Sequence, residues 1–122
     1  MNVQHCGPSI SADIVVIGGG TAGVAFVASL LKRDPHLNIT VIEPSSQHYY
    51  QPAWTLVGGG AYDVKDTVRP MSKVIPRQAT WIQAAVTQID ADNRQLTLSD
   101  QRSVGYQNLI VCPGLRLAWE KI

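Results

Sequence analysis

The chain has 122 residues, of which 45% are hydrophobic and 16% charged, and ten Lys+Arg against nine Asp+Glu leave a net charge of +1. That is the length of one domain, too apolar for a disordered chain and too interrupted by charge for a membrane span. The near-neutral balance supplies no bulk field toward nucleic acid or anionic lipid, and two cysteines, Cys6 and Cys112, cannot make a disulfide framework or a four-ligand zinc site.

Residues 1–12 have no positively charged start and no apolar stretch, so they read as a short leader without a targeting signal. Synthesis in a reducing bacterial cytosol is the expectation, with a domain over residues 13–122. Residues 14–17, Ile-Val-Val-Ile, are four consecutive β-branched residues, as in a strand buried on both faces of a parallel sheet. The strand runs into Gly18-Gly19-Gly20-Thr21-Ala22-Gly23. A helix follows, with Val24, Val27, Ala28, Leu30 and Leu31 on its apolar face and Lys32 and Arg33 in its last turn, before Pro35. Residues 38–42 form a second β-branched strand that ends at Glu43-Pro44.

Residues 45–63 show no clean period and read as an ordered aromatic loop with a short helical turn around 53–57. Arg69-Pro70 looks like the start of a short helix, with Pro70 as its first residue and Pro76 closing it. Lys65, Arg69, Lys73 and Arg77 recur every four residues, but the prolines prevent one helix from aligning them, so they read as a solvated face. Residues 80–85 resume strand character. Residues 86–89 and 95–98 alternate around Asp92-Asn93 as a hairpin, and residues 106–112 make a last strand before Pro113-Gly114.

Strand, glycines, helix, second strand and terminal acid together form a βαβ dinucleotide fingerprint. Gly18 permits the turn out of the strand, Gly20 lets the backbone approach a pyrophosphate, and Gly23 allows close helix–sheet packing. The N–H groups at the helix start suit a diphosphate. Glu43, twenty residues after Gly23, suits a ribose 2′,3′-diol and disfavours a 2′-phosphate, which points to the ADP portion of FAD or NAD. No Lys-Ser/Thr follows the glycines, so a Walker loop is excluded. The expected fold is α/β, a Rossmann-like FAD/NAD(P)-binding domain whose parallel sheet carries helices and a β-hairpin or meander insertion.

The hairpin and the returning strand with its Cys112-Pro113-Gly114 turn resemble the FAD domain of the two-dinucleotide-domain flavoprotein oxidoreductases. The segment His48-Tyr49-Tyr50-Gln51-Pro52-Ala53-Trp54-Thr55-Leu56-Val57-Gly58-Gly59-Gly60 is similar to a loop of the sulfide:quinone oxidoreductases. Arg69-Pro70, Val74-Ile75-Pro76, Trp81-Ile82 and Trp119-Glu120-Lys121-Ile122 fit the same family. The resemblance implies FAD as cofactor, and sulfide and quinone as partners of a longer parent peripheral on the cytoplasmic membrane. It implies that Thr21 and Ala22 contact the diphosphate and Glu43 the ribose. Gln51 would reach the flavin side, Val86 would hold the adenine edge through its backbone at the end of a parallel strand, and Gly114 would lie beside the flavin diphosphate. Tyr49, Tyr50 and Trp54 become pocket candidates, whereas His48 reads as a surface or loop histidine and not a base. The family's redox cysteine pair has no counterpart here. Cys112 reads as a small buried hydrophobe and Cys6 as inert, so the chain resembles the front third of an enzyme and is expected to be inactive alone and prone to self-association at an apolar sheet edge. Two alternatives stand beside this reading: part of a type II NADH dehydrogenase-like flavoprotein, and a stand-alone non-enzymatic dinucleotide-binding module.

Overall fold

The computed structural model describes residues 9–121; residues 1–8 of the expected leader, Cys6 among them, lie outside the described residues. Strand β1 spans Ser9–Ile17, helix α1 Thr21–Arg33 and strand β2 Ile39–Ile42. β1 therefore begins ahead of the apolar run, because its pairing with the last strand extends from Ser9↔Ser103 to Ile17↔Val111. That partner lies far along the chain, and the polar start of β1 carries no hydrophobic signal of its own.

β1 and β2 are parallel, in register from Ile14↔Ile39 to Ile17↔Ile42. Successive strand residues face opposite sides, and both sides are buried here. Val16 and Val41 join a cluster with Val27 and Leu31 of α1, while Val15 and Ile42 join one with Leu96, Leu98 and Val104. Gly23, Val27 and Leu31 form the buried stripe of α1, spaced by four. Ala28 belongs outside that stripe and is exposed, unlike its expected placement.

Among the described residues, the main sheet has six strands in the order β5-β2-β1-β8-β7-β6. β5 is Thr80–Ile82, β6 Val86–Asp90, β7 Gln95–Leu98 and β8 Ser103–Val111. Strands β5, β2, β1 and β8 are parallel, whereas β6, β7 and β8 form an antiparallel meander. This is the expected Rossmann-like arrangement with its insertion.

The aromatic segment is more ordered than its sequence suggests. Strand β3, Gln47–Tyr49, pairs antiparallel with β4, Val68–Pro70, as a separate two-stranded sheet. Between them lie a 3₁₀ turn at Gln51–Ala53, helix α2 at Trp54–Gly58 and a second 3₁₀ turn at Val64–Thr67. Arg69 and Pro70 are thus strand residues, and Pro70 caps the short helix α3, Met71–Val74. Proline's fixed φ suits an extended edge as well as a helix start, and the distant partner β3 decides between them. Lys65, Arg69, Lys73 and Arg77 are all exposed, as expected.

Candidate functional site

In an open α/β sheet, a crevice forms at the carboxyl ends of two strands whose connections run to opposite sides. Here β1 leads through α1 to β2 on one side, and β8 lies on the other. Gly18 follows β1 and Cys112-Pro113-Gly114 follows β8, so the glycine loop and the returning turn face each other. The Cys112 N–H donates to the Ile17 carbonyl at 2.8 Å, and the Gly18 N–H to that of Ile42 at 2.9 Å.

Each glycine of the fingerprint has a distinct setting. Gly18 has φ +106°, and a Cβ there would fall on the Cys112 carbonyl. A Cβ on Gly23 would fall on the Gly18 carbonyl oxygen and lie 3.4 Å from Val16 Cγ1, which is the close helix–strand packing expected. Around Gly20 there is nothing within 4 Å of an added Cβ. It opens directly onto a cleft of about 640 Å³ lined by Gly20, Thr21, Ala22, Glu43, Tyr49, Gln51, Pro52 and the 112–115 turn. Gly20 is also the N-cap of α1, with no side-chain cap and no acid in the first turn, so the donor end of this helix is left for a ligand.

Glu43 is held from several directions. Its Oε2 accepts the Gly19 N–H and its Oε1 the Ser45 N–H, both at 2.8 Å. Its main-chain carbonyl accepts the Trp81 indole N–H at 3.0 Å. A carboxylate has about four acceptor positions, so capacity for a ribose diol remains on the cleft side. Two carboxyls of the meander region are shifted by their neighbours. A hydrogen bond from Arg102 holds Asp100 below the usual carboxylate range, and one from Asn93 does the same for Asp90.

The structure therefore brings Gly20, Thr21, Ala22, Glu43, Gln51 and Gly114 into one cleft, with Gly18 and Gly23 shaping its floor. Val86 lies in an adjoining cavity of about 240 Å³ that shares Glu43 and Pro113 with it. Val86 does not end a parallel strand, as expected from the sequence, but opens the antiparallel β6. Only residues 83–85 join β5 to β6, so the meander folds back over the strand ends and carries Val86 there.

Three further expectations change. His48 is no surface residue: it is buried, with Nδ1 2.9 Å from the Gly19 carbonyl, because the β3–β4 pair seats it against the glycine loop. Cys112 is half-buried and lines the cleft, because the turn after β8 leaves the core at that point. Of the aromatic candidates, Tyr49 lines the cleft, while Trp54 meets it edge-to-face at 6.5 Å and Tyr50 is not part of the lining. Sequence reasoning gave Gly19 no role. The unbroken triple glycine was the available signal, since a Cβ at Gly19 would lie 2.8 Å from Glu43 Cγ and 2.9 Å from Met71 Sδ. Among the described residues, no cluster of His, Cys, Asp and Glu suits a metal ion.

Residues 12–119 match the family model described as pyridine nucleotide-disulphide oxidoreductase. The chain is 36% identical over 110 residues to the mitochondrial sulfide:quinone oxidoreductase of Mus musculus, covering 90% of this chain and 24% of the mouse protein. The structure of the sulfide:quinone oxidoreductase from Aquifex aeolicus superposes with TM-score 0.76 at 27% identity, over 88% of this chain and 25% of that one. NDH2 from Plasmodium falciparum shares the fold, with TM-score 0.67 at 18% identity, over 91% of this chain and 24% of that one. The chain thus spans about a quarter of the length of these relatives.

Proposed function

This chain belongs to the pyridine nucleotide-disulphide oxidoreductase family, and from that premise we propose that it is the FAD-binding front portion of a sulfide:quinone oxidoreductase-like flavoprotein. The observation that carries the reading is the single cleft in which an open glycine, a capless helix start and a backbone-anchored Glu43 converge. A group with a diphosphate and a ribose fits those partners, since the space a side chain would fill at Gly20 is open to a phosphate.

In this reading, the N–H groups at the start of α1 bind the diphosphate and Glu43 accepts from the ribose hydroxyls. Val86 lies where the adenine would end. Gln51 and Gly114 face the flavin half, and Tyr49 offers a partly exposed ring on the same side. FAD, when bound, supplies an electron acceptor for sulfide and a donor to quinone in the longer parent. The 36% identity to the mouse enzyme supports that assignment over the NADH dehydrogenase alternative, for which the likeness is one of fold alone. We place the parent peripherally on the cytoplasmic membrane of a bacterium; among the described residues, no helix is long and apolar enough to cross one.

Self-association at a sheet edge would use β5, with Trp81 and Ile82, or β6, with Val86 and the exposed Ile89. The exposed Trp54, Leu56, Leu115 and Trp119 offer a further apolar surface, and size-exclusion chromatography would show a dimer if either associates. Calorimetric titration of the 122-residue chain with ADP and FAD tests the cofactor assignment, and absence of binding to both overturns it. Sulfide-dependent quinone reduction by the full-length parent tests the activity. The 122-residue chain alone is expected to give none, and turnover above a protein-free control would make it a complete enzyme.

A further inference from the structure

Gly19 is gripped at both of its peptide groups by side chains from outside the loop. Its N–H donates to Glu43 Oε2 at 2.8 Å, and its carbonyl lies 2.9 Å from His48 Nδ1. A carbonyl can only accept, so Nδ1 carries the proton in this contact, and protonation of the other ring nitrogen leaves the bond intact. His48 is 6% exposed and is held by its surroundings. It pairs with Arg69 across β3–β4, while Tyr50 N–H donates to Thr67 and Met71 N–H to Ser46, each at 2.8 Å.

The carbonyl of Gly19 and the N–H of Gly20 belong to one planar trans peptide and point in opposite directions. Fixing the first therefore aims the second. With the carbonyl drawn toward buried His48, the Gly20 N–H is directed away from it, and no protein acceptor takes that N–H among the described residues. The two dihedrals that rotate this peptide both belong to glycines, whose backbone turns at little steric cost. Such a peptide needs a clamp if its N–H is to wait in one orientation. We propose that His48 is that clamp, a positioning residue that presents the Gly20 N–H to the diphosphate of the bound nucleotide. The proposal rests on reading the cleft as a diphosphate site.

The test measures ADP affinity by calorimetry for the parent chain and for His48→Asn, His48→Gln and His48→Leu, with thermal unfolding of each. Asn places an amide N–H where Nδ1 stands, whereas Gln, of similar polarity, places it one bond further out. Loss of the clamp is expected to weaken ADP binding roughly tenfold in the Leu and Gln variants. Asn should recover most of that loss, and the amide signal of Gly20 in ¹⁵N NMR should respond to ADP in the parent and Asn chains but far less in Gln. If the Leu variant fails to fold, the Asn–Gln pair decides alone. Equal affinity in Asn, Gln and parent overturns the role of His48 while leaving the nucleotide site in place. A parent chain that binds no ADP overturns both.

Discussion

The two walls of the cleft are built by different means. On the wall that carries the glycine loop, the backbone around the free helix start is tied into the body of the protein: Gly18 to Ile42, Gly19 to Glu43 and His48, and Cys112 to Ile17. Its residues sit at the ends of β1, β2 and β8, whose side chains fill both core clusters. On the opposite wall, Tyr49 is 49% exposed and Leu115 95%, and the chain there is held by the three-residue β3–β4 pair and a short 3₁₀ turn. A site whose donors are fixed beforehand binds without a large ordering cost, whereas a wall of exposed side chains must be ordered by whatever it meets. Under the proposed function, the difference assigns affinity to the ADP half of a dinucleotide and leaves the other half weakly held.

The strongest way to break that contrast is within the glycine loop itself. Gly20→Val should abolish ADP and FAD binding with the thermal midpoint nearly unchanged, because a Cβ there meets no atom beyond its chain neighbours within 4 Å and the side chain enters the cleft. Binding by this variant at parental strength would make the loop a structural turn only. Gly23→Ala should act in the opposite sense. Its Cβ would fall on a backbone carbonyl that cannot rotate aside, so a loss of at least about 3 kcal/mol of stability is expected, read as an early thermal transition by circular dichroism. A pair of glycines only three positions apart thus separates binding from folding.

The same contrast explains what was legible in the sequence. The βαβ unit announced itself because its signals are local: four β-branched residues, glycines at fixed spacing, and an acid at the end of the next strand. The meander was visible for the same reason, through alternation around Asp92-Asn93. The β3–β4 pair was not, because strands of three residues have almost no period and become strands only by finding each other about twenty residues apart. The short helix that follows Arg69-Pro70 was legible to within a residue, but the strand that Arg69 and Pro70 themselves form was not, and neither was the buried place of His48, read as a surface or loop histidine. The inward seat of His48 depends on β3 packing against a glycine loop 29 residues earlier, which no local pattern reports. Val86 opens an antiparallel strand and does not end a parallel one, since the fold-back of the meander is a tertiary event that no local pattern reports.

A smaller effect is expected from Glu43→Gln, and the structure changes how it should be read. The carboxylate already accepts N–H groups from Gly19 and Ser45, so the amide of Gln would set a donor against a donor at one of them. Loss of a charged hydrogen bond to ribose costs about 1.5–3 kcal/mol in ADP affinity. Some of the loss would come from a loosened Gly19 peptide, so the thermal midpoint should fall as well, unlike in Gly20→Val. A variant with parental ADP affinity would remove Glu43 from the site.

The smallest expected effect is the most direct measure of the second wall: the ratio of FAD to ADP affinity in the 122-residue chain. Burial of an apolar ring contributes about 25 cal/mol for each Å² removed from water, and a tenfold gain in affinity is about 1.4 kcal/mol. A hundredfold preference for FAD would therefore need roughly 110 Å² of net apolar cover beyond that of ADP. Tyr49, Gln51, Pro52 and Leu115 can touch an isoalloxazine, but the exposed side chains among them must first be ordered, at about 0.5–1.5 kcal/mol each. That cost offsets much of the gain, so FAD is expected to bind within about tenfold of ADP. Trp54→Ala should then change the ratio little, since Trp54 packs on Tyr49 outside the cleft lining. A ratio well above tenfold that collapses in Trp54→Ala would show that the aromatic segment closes over the flavin, and the two walls would then be equal partners in binding.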